Sequence, residues 1–379
     1  MLSNGCDGVN ERQIASIDWQ KAGALPAAKG DPVHLGLAGP VSGIHNNMLI
    51  IGGGANFPDS MPWKGGKKRY YDDIYVFKKD KENYRPLNEH CFKTPYPLAY
   101  GASCSTSYGV LYAGGENENG LIRTVLLISY DSADKMVVVK TLPDLPFAVA
   151  NASVATDGRN VYLAGGETAE GVSDQLLHLD LKATDSSWKT LASLPQPISH
   201  SVLAATSNGS QSSLYLIGGR KRNQSAPSEL FASTYRFDLK ENQWFQMASL
   251  PYALSAGTGW SGGGCDILLF GGDRGKSFHK TEELNAAILK ENDLSKKDSL
   301  TQQKNTVQAT HPGFSREILR YDACNDSWSV IGTMPFEAPV TTTAVETAED
   351  EVLIPSGEIR AGVRTPFILL GKISFAAKH

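Results

Sequence analysis

The sequence has no apolar run that approaches the roughly 20 residues needed for a membrane-spanning helix. It also has no excess of one charge, because 36 Lys and Arg stand against 40 Asp and Glu, for a formal net charge of -4. No run of basic residues resembles a nucleic-acid-binding stripe. The composition therefore predicts a protein without a membrane span and without a nucleic-acid partner.

Cysteine is scarce and scattered. None of the five forms a CxxC pair, which argues against a zinc site and makes a disulfide framework unexpected: Cys6, Cys91, Cys104, Cys265 and Cys324. We expect buried or idle thiols at the last four. Cys6 follows Gly5 and resembles the end of a bacterial lipoprotein signal. Residues 1–16 are therefore either the linker of a periplasmic or outer-membrane-associated lipoprotein or a plain disordered terminus.

Common catalytic signatures are missing as well. The sequence contains no phosphate-binding loop and no His-x-x-His pair. Its eight His are dispersed, so no metal site is predicted. Any chemistry must come from residues that the fold assembles.

A repeat is what the sequence does contain. An apolar run that ends in a Gly-Gly doublet recurs about every 50 residues, which is the kelch period. The copies are 48–53, 110–115, 161–166, 214–219, 267–272 and a degenerate 352–357. A polar loop, an alternating strand and, in several copies, a Trp-bearing strand follow, which gives four short strands per repeat. The pattern predicts an all-β, six-bladed kelch-type β-propeller over residues 17–379.

The two ends of the chain predict how the ring closes. The last repeat has three strands and stops, whereas residues 17–26 resemble the missing outer strand with its Trp. We expect this segment to pair into the last blade and remove an exposed sheet edge. We also expect each doublet to lie where the inner strand turns, and each Trp to pack between neighbouring blades.

Two long insertions interrupt the period, and loops of this length are usually functional or disordered. The first is 55–71 and the second is 275–315. Apolar residues at helical spacing predict a short amphipathic helix over 281–292. The polar segment 296–310 is expected to be mobile.

One segment of the last repeat combines a carboxylate with a guanidinium. Glu358 directly follows Gly357, and Arg364 can return across a turn to the same mouth of the channel. The pair is either a plain salt bridge or a general base beside a group that binds a sugar carboxylate. Glu116 and Glu167 also follow a doublet, so the position alone does not decide between the two.

The segment 357–365, Gly-Glu-Ile-Arg-Ala-Gly-Val-Arg-Thr, resembles the Gly-Glu-x-Lys-Pro-Gly-Leu-Arg-Thr segment of the bacterial N-acetylneuraminate epimerase family. Further similarity lies at 50–57 with its lysine-rich insertion, at 99–103 and at 113–116. The order of the blades looks cyclically permuted relative to the family, and Leu98 replaces an expected Arg. The resemblance implies catalytic roles for Glu358 and Arg364 and substrate contacts for the following residues: Arg364, Asn56, Arg69, Tyr100 and Glu116.

The activity that the resemblance implies is the interconversion of the α and β anomers of free sialic acid, a small sugar acid, through its open-chain ketone. Such a reaction needs an acid and a base but no metal and no organic cofactor. The sequence leaves the oligomeric state open, with a monomer favoured. A kelch module that binds a protein, and a lectin that binds sugar without turnover, are the alternatives.

Overall fold

Six antiparallel sheets, one per repeat, form a closed propeller in the computed structural model. It describes residues 14–27, 32–87, 92–183, 187–207, 212–224, 226–262 and 264–375. Cys6, with the lipoprotein linker predicted around it, and Cys91 lie outside these residues. The six-bladed all-β architecture predicted from the repeat is confirmed.

Each blade has an inner, a second, a third and an outer strand, in that order from the channel outward. Blade 1 contains Ala38–His45, Met48–Asn56, Asp73–Asp80 and Asn83–Pro86, with short extra strands Arg69–Tyr70 and Phe92–Lys93. Blade 2 contains Ala102–Thr106, Gly109–Ala113, Val125–Asp131 and Met136–Leu142, and blade 3 contains Ser153–Thr156, Asn160–Ala164, Leu176–Asp180 and Lys189–Thr190. Blade 4 contains Val202–Ser207, Ser212–Ile217, Thr234–Asp238 and Gln243–Met247, and blade 5 contains Thr258–Trp260, Asp266–Phe270, Glu317–Asp322 and Ser327–Thr333. Blade 6 contains Val345–Glu346, Glu351–Pro355, Phe367–Phe375 and, as its outer strand, Ile14–Ala24.

The core is divided into interfaces between neighbouring blades. Successive side chains of a strand point to opposite faces, so Leu49 and Ile51 pack against blade 6 while Ile50 packs against blade 2. The Trp residues of the outer strands join these interfaces, and the indole N–H of Trp188 donates to the Pro143 carbonyl of the preceding blade at 3.0 Å. The predicted packing of Trp between blades is confirmed.

The N-terminal strand closes the ring as predicted. Ile14–Ala24 runs antiparallel to Phe367–Phe375, with Ile17 opposite Ile373 and Trp19 opposite Gly371. The indole of Trp19 meets the ring of Phe270 in blade 5 at 5.3 Å, edge to face. The strand begins at Ile14, three residues before the predicted boundary.

A continuous ring of backbone hydrogen bonds joins all six blades at the centre. One residue at or just before the start of each inner strand donates its N–H to the carbonyl of the equivalent residue in the preceding blade, over 2.7 to 3.4 Å. All six have left-handed backbone angles, with φ between 50° and 62°. The members of this central ring are Gly39, Tyr100, Asn151, His200, Ala256 and Thr341. Five of them are not glycine, although the left-handed conformation costs roughly 1–2 kcal/mol for such residues.

The Gly doublets lie at the end of the second strand, so the prediction that they mark the turn of the inner strand is wrong. They connect neighbouring blades instead, since the N–H of Gly166 donates to the Ile198 carbonyl of the next blade at 2.8 Å. A Cβ on Gly165 would lie 2.1 Å from that same carbonyl oxygen. Only glycine permits this approach at a φ of 65°.

Cys265 and Cys324 form a disulfide, which corrects the expectation of idle thiols at these positions. They are 59 residues apart in sequence. Antiparallel pairing of Asp266 with Asp322 in blade 5 brings them together, with the two Cα atoms 5.5 Å apart. Their spacing in the sequence does not indicate a disulfide, because the second insertion separates the two strands that bring them together. Cys104 keeps a free thiol.

The second insertion forms a helical hairpin. Helix α1 spans Lys276–Lys290 and helix α2 spans Leu294–Ala309. A helix was predicted in the first part of the insertion, but the prediction that the following segment, 296–310, is mobile is wrong because this segment forms most of α2. The side chain of Asp293 caps α2 by accepting a hydrogen bond from the Lys296 N–H. Among the described residues, no helix has the length and apolar character that crossing a membrane requires.

Deletion of residues 14–22 should destabilise the protein by more than about 5 kcal/mol, because several buried side chains would be exposed at about 1.5–3 kcal/mol each and blade 6 would present an open edge. Thermal and urea unfolding measure the change. Gln20→Ala, which removes only an exposed hydrogen bond to the Glu82 carbonyl, is the control and should cost little. An unchanged melting temperature for the deletion would contradict the closure.

Replacement of Cys265 and Cys324 together by Ser should lower the free energy of unfolding by about 2–4 kcal/mol, since the unfolded chain is no longer constrained. Denaturant unfolding with and without reductant measures this. Reductant should lower the stability of the wild type and of Cys104→Ser but leave the double variant unchanged. Detection of two free thiols at 265 and 324 in the untreated native protein would refute the disulfide.

Candidate active site

One mouth of the channel is ringed by six equivalent positions, each directly after the last glycine of its repeat, which is Gly54 in blade 1 and Gly357 in the degenerate blade 6. Each pairs with the backbone just before its own blade's central-ring residue, as in the bridge between Val340 and Glu358. The six residues are Ala55, Glu116, Glu167, Arg220, Asp273 and Glu358, so five of the six side chains are ionisable. Sequence reasoning noticed the three Glu but missed Arg220 and Asp273, which the alignment of the doublets would have found.

Glu358 is held by a short hairpin in blade 6. The strands Glu358–Arg360 and Val363–Arg364 pair with each other, and Gly362 occupies the turn at a φ of 71°. The Gly362 N–H donates to Oε1 of Glu358 at 3.0 Å, and Nη2 of Arg364 lies 3.2 Å from Oε2. The hairpin therefore fixes the orientation of the carboxylate.

Arg364 lies against Glu358 but is almost completely enclosed. Its side chain is 4% exposed, and its guanidinium stacks on the ring of Phe57 at 4.7 Å. Its Nε and Nη1 have no hydrogen-bond partner within the described part of the chain. Of the two predicted catalytic residues, Glu358 lines the cavity described next and Arg364 does not.

A cavity of about 240 Å³ lies over Glu358. The blades contribute Glu358, Asp273, Arg220 and His200, and the second insertion covers them with Phe278 and His311 among others. The hairpin is anchored on blade 4, where Glu282 of α1 accepts hydrogen bonds from both the N–H and the hydroxyl of Ser228. The second insertion therefore forms the roof of this cavity.

The wall contributed by blades 3 and 4 holds a cluster of Glu167, His200 and Arg220. Nη2 of Arg220 lies 3.1 Å from Nε2 of His200 and 3.6 Å from Oε1 of Glu167. Burial, and then the positive charges of Arg220 and Arg222, lower the pKa of His200 well below its ordinary value. His200 is therefore a neutral imidazole beside a buried guanidinium at neutral pH.

The first insertion builds a second cluster, beside Glu116 of blade 2. Glu116 accepts hydrogen bonds from Lys68 at 3.0 Å and from the Tyr70 hydroxyl at 2.7 Å. The ammonium of Lys68 also lies 4.5 Å from the ring centre of Tyr100. Two predicted substrate-binding residues, Tyr100 and Glu116, are thus brought together around one lysine.

Asn56 and Arg69, the other two predicted contacts, do not line the roofed cavity, and neither do Tyr100 and Glu116. Asn56 is buried, and its amide donates to the Gly36 carbonyl and accepts from the Tyr71 hydroxyl. Arg69 is exposed and lies 3.7 Å from Asp59. In this conformation Asn56 supports the insertion, and Arg69 lies on its surface.

Fold and site together define a kelch-type propeller with a roofed, charged cavity at one mouth of its channel. A family model described as N-acetylneuraminate epimerase matches residues 7–138 and 142–378, and the chain belongs to this family. An N-acetylneuraminate epimerase of Haemophilus influenzae (strain PittEE) is 27% identical over 239 residues, which cover 63% of this chain and 60% of the relative.

Other relatives agree with this assignment. An N-acetylneuraminate epimerase of Pasteurella multocida (strain Pm70) is 27% identical over 61% of this chain and 58% of the relative. A kelch domain-containing protein of Vibrio cholerae is 26% identical over 59% of this chain and 61% of the relative. The chain thus spans about 60% of the length of these curated relatives.

His200 should make the stability depend on pH. Its folded pKa lies well below the ordinary 6.5, so the unfolded chain binds a proton that the native protein excludes as the pH falls below about 6.5. His200→Asn, which copies Asn151 at the same place in blade 3, should reduce the loss of stability between pH 7 and 5 by up to about 1.4 kcal/mol per pH unit. Urea unfolding measures the slope. Identical slopes for the two proteins would contradict the buried neutral imidazole.

Proposed function

We propose that this chain is a mutarotase that interconverts the α and β anomers of free N-acetylneuraminate by acid–base opening of the ring. The observation that carries the proposal is the carboxylate of Glu358, oriented by Gly362 and Arg364 and covered by a roof within a cavity. It stands in the segment 357–365, which resembles the corresponding segment of the family. The names of the relatives supply the substrate class.

Glu358 is the proposed proton acceptor. Ring opening removes the proton of the anomeric hydroxyl, forms the ketone at that carbon and breaks its bond to the ring oxygen, which takes up a proton. Rotation of the open chain and reclosure on the other face give the second anomer. No atom is gained or lost, so the site must only accept and return protons.

His311 is the proposed proton donor to the ring oxygen. It lines the same cavity from the end of the roof. The Gly313 N–H donates to its Nδ1 at 3.1 Å, so the neutral ring carries its proton on Nε2 and donates there. Burial lowers the pKa of His311, which favours this neutral form. A roof over both groups also limits the access of water to the open-chain intermediate.

Arg364 is proposed to hold Oε2 of Glu358 in place. The resemblance also implies a substrate contact for Arg364, and its enclosed side chain would have to be uncovered for that contact. Tyr100 and Glu116 are proposed to contact the sugar from the blade 2 side of the mouth. Asn56 and Arg69 are proposed to act through the conformation of the first insertion.

The proposed location is an oxidising compartment such as the periplasm. The support is the disulfide between Cys265 and Cys324, since disulfides persist mainly outside the reducing cytosol. We propose a monomer, because the propeller buries its own strand edges by closing the ring.

Glu358→Gln should lower the catalysed rate of anomer exchange by about 10²–10⁴-fold, because the amide keeps the shape of the side chain but accepts no proton. Affinity for N-acetylneuraminate should change less than about threefold. Exchange NMR between the anomers measures the rate, beside a buffer blank. Glu337→Gln is the matched control, since Glu337 also pairs with an arginine of the same hairpin, Arg360 at 2.8 Å, but lies outside the cavity.

Two results would contradict the proposal. If the wild type exchanges no common sialic acid faster than the blank, the mutarotase assignment is wrong. If it binds the sugar but does not accelerate exchange, the site is that of a lectin.

A further inference from the structure

Arg220 is the only arginine or lysine among the described residues that line the roofed cavity. It occupies the blade 4 position equivalent to Glu358 in blade 6, directly after the doublet of Gly218 and Gly219. Its side chain is 15% exposed, against 4% for Arg364. A ligand in the cavity can therefore reach Arg220 without rearrangement of the blades.

The charge of Arg220 is poorly compensated by the protein. Within the described part of the chain, the hydrogen bond and the ion contact of its guanidinium are made by Nη2, and its Nε has no partner. The nearest carboxylate, on Glu167, lies 3.6 Å away, which is longer than a hydrogen bond. Burial lowers the pKa of Arg220, although Glu167, Asp273 and Glu282 act against this. An anion bound in the cavity would accept hydrogen bonds from the terminal nitrogens of the guanidinium, since Nε is itself buried.

The guanidinium of Arg220 is also fixed in orientation. Its carbon lies 4.6 Å from the ring centre of Phe278 in helix α1, and its Nη2 contacts His200. A planar guanidinium held between an aromatic ring and an imidazole presents its remaining N–H groups in a defined direction, which suits two parallel hydrogen bonds to a carboxylate. The roof and the blades both contribute to this arrangement.

The other charges of the cavity leave an anion only one favourable position. Glu358 and Asp273 also line it, and both carboxylates disfavour a bound anion near them. In N-acetylneuraminate the carboxylate is attached to the anomeric carbon itself. A carboxylate bound at Arg220 therefore places the reacting carbon within the same small cavity as Glu358.

We propose that Arg220, fixed by His200, Glu167 and Phe278, binds the carboxylate of the sugar acid and so selects acids over neutral sugars. This inference rests on the proposed function for the identity of the substrate. It assigns to Arg220 the anion contact that the family resemblance implies for Arg364. Arg364 then acts as a positioning residue for Glu358.

The test compares binding of N-acetylneuraminate with binding of its methyl ester, which lacks the negative charge, by titration calorimetry. The wild type should bind the acid about 10- to 100-fold more tightly than the ester. Arg220→Gln should weaken binding of the acid by this factor and leave binding of the ester within about threefold. Arg220→Lys keeps the charge but loses the planar guanidinium, so its affinity for the acid should lie between those of the wild type and Arg220→Gln. This variant replaces Arg220→Gln in the test if the Gln variant folds poorly.

Arg274→Gln is the matched control. Arg274 also stacks on an aromatic ring, that of Tyr252 at 3.6 Å, and pairs with a carboxylate, that of Glu317, but does not line the cavity. The ratio of its affinities for the acid and the ester should equal that of the wild type. Arg364→Gln should also keep this ratio of affinities while it slows anomer exchange.

Several results would overturn the assignment of Arg220. The wild type could bind the acid and the ester equally, or it could bind neither N-acetylneuraminate nor other sugar acids such as glucuronate. The preference for the acid over the ester could also be lost in Arg364→Gln but kept in Arg220→Gln. The proposed function fails separately. If Arg220→Gln abolishes the preference for the acid but the wild type does not accelerate anomer exchange, Arg220 is the carboxylate-binding residue and the protein is not a mutarotase.

Discussion

The architecture depends on the central ring of six backbone hydrogen bonds, in which each blade donates to the one before it. The ring requires six left-handed residues at one level of the channel, and only one of them is glycine. The cost of these conformations is offset because the backbone groups are paired where the blades crowd together. The side chains of Tyr100, Asn151 and His200 are consequently carried on the most constrained backbone of the molecule.

This constraint also explains why the candidate site is rigid on its propeller side. Glu358 and Arg220 occupy equivalent positions, and each bridges to the residue before a member of the central ring, so their backbone positions are set by the ring closure. The roof is built differently, from a helical hairpin that an insertion adds to blade 5. In the proposed function, the positioning of the proton acceptor and the access of the ligand thereby depend on separate parts of the chain.

The sequence allowed the blades to be predicted because each repeat contains the same local signals, and closure could be predicted because a strand was missing at one end and present at the other. The doublets were placed on the wrong strand, since their spacing does not say which strand they terminate. The disulfide was missed because Cys265 and Cys324 become neighbours only through strand pairing across the insertion. Helix α2 was missed because its residues are polar on all sides and bury no apolar face.

At the site, the resemblance led to Glu358 and Arg364, and the structure places them in contact. Arg220 was overlooked because a lone arginine after a doublet carries no signal until the equivalent positions of all blades are compared. Asn56 and Arg69 were selected by likeness of sequence. That likeness does not separate residues that face a cavity from residues that support an insertion.

The pairing of Ile14–Ala24 with Phe367–Phe375 has a consequence for biosynthesis. During translation the first strand leaves the ribosome long before its partner exists, so it must wait unpaired while five blades form. Contacts between such distant parts of a chain are slow to form. Because the last blade needs both of these strands, a prematurely terminated chain cannot complete the ring.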